Sequence, residues 1–193
     1  KEVSSFGPKK IFASVKDGNL MLDGKIINAS EIELVAKELS KPMQINRKSY
    51  RGKILIKVNA DKKTLIVCNI LPIEQYLYGV IAKEIIPLWP EEAIKAQTVA
   101  ARSFAISCIE KKKDTGFDIR ANELGQVYGG IEAEHAATNK QIDATRGLVL
   151  TYAGKPIEAY YHSCSGGYTE NSENVWGTYV PYLRAVPDFD QES

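Results

Sequence analysis

The sequence predicts an α+β fold, with short and mostly antiparallel strands and hairpins around one central helix over residues 90–112. Three observations predict it. Strand-like runs in the N-terminal part are separated by turn signals such as Asp17-Gly18 and Asp23-Gly24. A long Ala-rich stretch after Pro90 carries apolar residues around most of its circumference, as an enclosed helix does. A second hairpin pattern, Leu148–Tyr152 and Pro156–Tyr161 about Ala153-Gly154, follows a further helical segment.

In chain order, Ile11–Lys16, Leu20–Leu22 and Lys25–Asn28 read as strands. Ser30 followed by Glu33 resembles a capping box, which predicts a short helix carrying Ile32, Leu34, Val35 and Leu39 and ended by Pro42. Arg51–Asn59 and Thr64–Ile70 read as a hairpin about Asp61-Lys62-Lys63. Pro72 opens a helix that carries Tyr76, Leu77, Val80 and Ile81 toward Glu84. A rigid Pro87-Leu88-Trp89-Pro90 corner follows. Pro90 suits a first helical position, and Glu91 and Glu92 suit a first turn. Lys111-Lys112-Lys113 closes that helix with the favourable charge. Ala133–Arg146 is the next helix, stopped by Gly147, and the stretch from His162 to Ser193 reads as ordered loops. A seam near residues 41–50 divides a strand-rich segment, 1–43, from the main domain, 44–193. The first segment either extends the main sheet or stands as a satellite.

The bulk numbers exclude several classes. The chain has 193 residues, 44% hydrophobic and 25% charged, with a net charge of +1, so no basic field argues for nucleic acid. Its apolar runs are too short to span a membrane. A first residue of Lys1 reads as an excised or processed piece, and membrane attachment is expected only through an N-terminal anchor absent from this sequence. Three cysteines do not make a disulfide framework, and Cys68 and Cys108 read as small buried hydrophobes.

Three constellations carry chemistry. Glu84 ends an apolar segment beside a rigid aromatic corner, where a carboxyl can be held partly dry. Burial of that kind raises a carboxyl's pKa and lets it donate a proton. Arg102 lies in an otherwise apolar helix and needs an ion-pair partner or a substrate. Gln126 and Tyr128 share a face if extended, and an amide and a phenol suit sugar hydroxyl and acetamido groups. In Tyr161-His162-Ser163-Cys164-Ser165-Gly166-Gly167-Tyr168, the glycines bare the backbone for close approach of a ligand, and Ser163, Ser165 and Tyr168 supply hydroxyls. His162 and Cys164 alone make no zinc site, and no cysteine-hydrolase signature surrounds Cys164. Trp176, Tyr179, Tyr182 and Trp89 read as loop aromatics able to stack on sugar faces.

The Glu84–Ala105 segment, Gln126-Val127-Tyr128-Gly129-Gly130, Ala144-Thr145-Arg146-Gly147 with Tyr160–Thr169, and Trp176-Gly177 with Pro181-Tyr182-Leu183 occur in an order that resembles the stage II sporulation protein D family (SpoIID/LytB, the amidase-enhancer group). The resemblance covers roughly residues 45–190. It implies a lytic transglycosylase that cuts between N-acetylmuramic acid and N-acetylglucosamine in peptide-stripped glycan strands and leaves 1,6-anhydro ends. It implies an extracytoplasmic place of action, peptidoglycan as substrate and a cell-wall amidase as partner. Glu84 matches the family's catalytic glutamate, and Lys95, Gln97 and Arg102 match nearby helix positions. Gln126, Tyr128, Tyr161, Ser163, Ser165, Gly166, Gly167, Tyr168 and Trp176 are the expected substrate contacts. Some relatives hold zinc just before the Gln-Val-Tyr motif. Residues 118–125 here contain neither His nor Cys, so no metal and no cofactor is expected. Two other readings stay open: a non-catalytic glycan-binding module that stimulates an amidase, and an acyl transferase through Cys164.

Overall fold

A computed structural model describes residues 10–38, 41–111 and 116–188. The N-terminal strands β1 (Ala13–Lys16), β2 (Asn19–Leu22) and β3 (Lys25–Ile26) form an antiparallel meander. Asp17, Gly18, Asp23 and Gly24 all have positive φ, the conformation of two-residue turns whose twist matches the strands they join.

The segment after Ser30 is a strand, β4 (Glu31–Val35), and not the short helix that the Ser30 and Glu33 spacing predicts. The reason is packing. Ile32 and Leu34 alternate with outward residues and lie opposite Ile56 and Ile54 of β7 (Lys53–Val58). Period-two burial on an existing sheet outweighs a local cap signal. Leu39, assigned to the same helix, lies outside the described residues, as do Lys112 and Lys113. The seam at 41–50 is itself a hairpin, β5 (Met43–Ile45) and β6 (Lys48–Tyr50), turned at Asn46-Arg47. β7 also pairs with β8 (Leu65–Ile70), giving an antiparallel sheet in the order β4-β7-β8. Leu20 of β2 joins Ile54 and Ile56 in one apolar cluster, and β4 is itself an edge strand of the sheet, so residues before position 43 both pack onto and form part of the sheet that β7 and β8 complete.

A second cluster unites the helices α1 (Ile73–Glu84), α2 (Glu91–Glu110) and α3 (Ala136–Ala144) through Leu77, Ile81, Ile94, Ala101 and Ile142. The central helix is enclosed on one side only, since Ala96 and Ile109 are exposed. Its buried side carries Thr98, Arg102, Ser103 and Ser107 as well as alkyl groups. The three hydroxyls bond to backbone carbonyls of their own helix, which satisfies them without water. Ser103 Oγ also accepts from the Leu150 N–H at 2.8 Å, and so ties α2 to the hairpin β9 (Thr151–Tyr152) and β10 (Lys155–Pro156). The stretch after His162, expected to be loops alone, contains a short helix, α4 (Ser172–Trp176), ended by Gly177 at φ 72.

Arg102 is fully buried. Its Nε and Nη2 donate to the two carboxylate oxygens of Glu74 at 3.1 and 2.8 Å, and Nη1 and Nη2 reach the carbonyls of Leu148 and Ile142. Glu74 Oε1 also accepts from the Gly147 N–H. Of the two roles that the sequence leaves open for Arg102, this geometry supports the ion pair and leaves the guanidinium no exposed face for a substrate. Arg102→Ala strands the Glu74 charge in the core and is expected to cost about 3–5 kcal/mol, read as a lowered urea midpoint with an unchanged slope.

Candidate functional site

Four successive residues, Gln126 to Gly129, cross the helices and build the site. Gln126 is 1% exposed. Its Nε2 donates to the Ala101 carbonyl of α2 at 3.1 Å and to the Tyr161 hydroxyl at 3.2 Å, and its Oε1 accepts from the Tyr76 hydroxyl at 3.1 Å. The Val127 N–H donates to Glu84 Oε1 at 3.1 Å. The Tyr128 hydroxyl donates to Asn69 Oδ1 of β8 at 2.8 Å, and the Gly129 N–H donates to the Gly79 carbonyl at 3.0 Å. Gly79 permits this crossing: a Cβ there would lie 2.4 Å from a ring carbon of Tyr128.

Glu84 is the last residue of α1 and is half-buried. Among the described residues it forms no ion pair, and Lys95 instead pairs with Glu92 at 2.6 Å. One carboxyl oxygen is held by the Val127 N–H. The other, Oε2, has no hydrogen bond among the described residues and is not buried. A carboxyl fixed by one oxygen and open at the other has a set orientation and one free face for a proton transfer.

Two phenols stand beside it. Tyr76 and Tyr161 both have pKa values raised by burial first, with the Glu84 charge adding to the effect, and Tyr161 is pushed up to about 12. Gln126 occupies an acceptor site of Tyr161, and the tyrosine's own hydrogen has no acceptor among the described residues. Tyr161 is thus a neutral donor held in place. Tyr76 is not among the residues singled out from the sequence. The signal was there, since Tyr76, Val80 and Glu84 recur every fourth residue and share one face of α1.

The other expected contacts divide. Tyr128 packs its ring against Tyr76 at 5.2 Å and Tyr50 at 6.0 Å, so it buttresses the cluster. Gln97 lies one turn before Ala101, and its Nε2 is buried with no partner among the described residues. Ser163 and Tyr168 are exposed. Ser165 Oγ accepts from the Gly167 N–H at 3.2 Å. Gly166 and Gly167 have φ of +69° and +99°, and a Cβ at either would meet nothing within 4 Å, although the Gly167 carbonyl accepts from the Asp188 N–H at 2.9 Å. Trp176 joins a different group, stacking on Tyr160 at 4.6 Å. A cleft is expected between Glu84 and the Ser163–Thr169 loop. Two surface cavities of about 440 Å³ each are lined by other residues. Among the described residues no group of three or more His, Cys, Asp or Glu side chains is placed to hold a metal ion.

Residues 61–152 match the family model described as SpoIID, stage II sporulation protein. The chain is 40% identical over 143 residues to an uncharacterized protein of Brachyspira hyodysenteriae, an alignment covering 74% of this chain and 38% of the relative. It is 46% identical over 112 residues to the amidase enhancer of Bacillus subtilis, covering 58% of this chain and 15% of that protein. It is 35% identical over 133 residues to the stage II sporulation protein D of Bacillus subtilis, covering 60% of this chain and 38% of that protein. The chain thus spans well under half the length of these relatives.

The raised phenol pKa values set an alkaline limit. Tyrosine ionises near 10 when unfolded and Tyr161 near 12 when folded, so folding keeps the proton that the unfolded chain releases. Stability is expected to hold below pH 10 and to fall as pH rises from 10 through 12. Tyrosinate absorbance should show a late-ionising class that Gln126→Ala shifts, because that change alters the packing around Tyr76 and Tyr161.

Proposed function

We propose that the chain, similar to the SpoIID family over residues 61–152 and to relatives named amidase enhancer and stage II sporulation protein D, is a lytic transglycosylase of peptidoglycan, with Glu84 as acid and then base. The observation that carries the reading is the carboxyl of Glu84, oriented by the Val127 N–H at one oxygen and open at the other.

Protonated Glu84 gives its proton to the glycosidic oxygen between N-acetylmuramic acid and N-acetylglucosamine. The bond breaks as the muramyl ring takes on oxocarbenium character. The carboxylate then takes the proton of that sugar's own C6 hydroxyl, whose oxygen closes on C1. The products are a free N-acetylglucosamine end and a 1,6-anhydro-muramyl end, with no water consumed. A single carboxyl suffices because the second nucleophile belongs to the substrate. Tyr161, its pKa pushed up to about 12 by burial and by the Glu84 charge, supports this scheme as a neutral phenol near the carboxyl. The open space beside the Cα atoms of Gly166 and Gly167 suits a sugar lying close. The substrate places the protein outside the cytoplasm, at the cell wall.

A second reading has one observation in its favour, the 46% identity to a protein named amidase enhancer. In it the domain binds glycan without cutting and assists a cell-wall amidase. The two readings diverge on Glu84→Gln. General acid catalysis supplies about 10²–10⁴-fold, so this variant should fold normally, bind strands, and lose at least about a hundredfold in the release of anhydro-ended products from peptide-stripped sacculi, scored by mass spectrometry. Anhydro products from a folded Glu84→Gln protein at the parent rate would sink the catalytic role, and none from the parent would favour the binding module.

A further inference from the structure

One of the two cavities lies at the C-terminal end of α2 and includes none of the Glu84 cluster. It holds about 440 Å³, within the size range of small-molecule sites. Ser107 of α2 and Lys111, which caps that helix, line it with Tyr152, Lys155, Glu158 and Tyr182. Tyr152 and Tyr182 form its aromatic wall, with ring centroids 5.4 Å apart and planes 48° to each other. Tyr152 is 49% exposed, so much of its ring is open to a ligand. Lys111 and Glu158 form an ion pair across the rim, and the Tyr160 hydroxyl donates to Glu158 at 2.8 Å. Through Tyr160 the wall continues into the stack of Phe104, Tyr160 and Trp176.

We propose that this cavity is a second saccharide site, which takes an uncharged N-acetylhexosamine unit of the glycan strand away from Glu84. The choice of sugar rests on the reading under Proposed function. The choice of an uncharged unit rests on the lining. Among the described residues that line it, two carboxylates, Glu110 and Glu158, balance two ammonium groups, Lys111 and Lys155, so that lining carries no net charge to select an anion or a cation. It offers acceptors and donors at the rim and flat rings on the wall. A pyranose has the matching distribution, with an apolar C–H face for the rings and hydroxyl and acetamido groups for the rim. The site makes a bound strand touch the domain twice, so that affinity is not carried by the reacting sugars alone.

The probe is the tetramer of N-acetylglucosamine, titrated calorimetrically into the Glu84→Gln protein, which prevents turnover. Tyr152→Ala, on an exposed two-residue strand, is expected to weaken binding about tenfold, the worth of one aromatic platform. Nitrogen–proton NMR of the protein with Tyr152 intact, recorded as tetramer is added, is expected to shift the amides of Ser107, Lys155 and Tyr182, and needs no folded Tyr152 variant. Unshifted amides there, or equal affinity with and without Tyr152, overturns the proposal, as does binding of an isolated stem peptide in place of the tetramer. Because the readout is equilibrium binding, failure of the parent protein to cleave strands defeats the catalytic reading and leaves this one standing.

Discussion

The buried ion pair between Arg102 and Glu74 is the constraint on which the rest of the helical layer depends. It links the middle of α2 to the first turn of α1, and through the carbonyls of Ile142 and Leu148 to the end of α3 and the approach to β9. Desolvating two charges is costly, and a buried pair persists only where geometry is good and the remaining polar groups are satisfied. Both conditions hold here, with two bonds to the carboxylate and two to carbonyls. The consequence for function is rotational. Glu74 and Glu84 lie on the same twelve-residue helix, so fixing Glu74 inward sets the angle at which Glu84 leaves the other end. A helix free to roll about its axis would present Glu84 over a range of directions, and a proton donor needs one.

A second constraint acts on the carboxyl itself. Every residue of the Gln126–Gly129 strip is pinned: Gln126 to α2 and to two phenols, and the next three to Glu84, β8 and α1 in turn, each at less than 3.2 Å. Gln126 uses its amide oxygen and nitrogen to fix two phenols, and the next residue's N–H fixes the carboxyl. A buried network of this kind is costly when incomplete and rigid when complete. It explains why an amide is needed at position 126: a carboxylate could not donate to Ala101, and an alkyl group could hold neither phenol. The sequence reading of Gln126 and Tyr128 as direct sugar contacts and the structural reading of them as positioning groups thus differ in kind. An alternating pair on an extended segment shares one face, and here the strip is pinned on several sides.

Much of the fold was legible because it rests on local chemistry. The Asp-Gly and Ala-Gly turns, the proline-opened helix ending at Glu84 and the stop at Gly147 are written in adjacent residues. What escaped depends on distant partners. Ser30 and Glu33 match a cap, and only the presence of β7 turns Ile32 and Leu34 into a strand face. The hairpin β5–β6 is turned by Asn46 and Arg47 at positive φ, a conformation that Arg rarely takes and that its neighbours enforce. Arg102 could be seen to need a partner, but Glu74 lies 28 positions away and reads locally as an ordinary first-turn acid. Tyr76 shared a helix face with Glu84 in plain view. Its relevance appears only with Gln126, which no spacing along the chain links to it.

The two regions on α2 separate tasks that one pocket would have to combine. Ala101 of that helix faces the Gln126 strip, and Ser107 and Lys111, two to three turns on, face the aromatic cavity. On the proposed functions, the first must hold a carboxyl and two phenols in fixed orientation against a reacting bond, which favours buried, fully bonded groups. The second must grip successive sugars without halting the strand, which favours exposed rings and balanced rim charges that bind each unit weakly. Rigid chemistry and loose grip conflict within a single cleft, because the bonds that hold the acid in place would also hold the product. A helix of twenty residues, clamped at its middle by Arg102, keeps both regions in register while letting each have the dielectric surroundings its task requires.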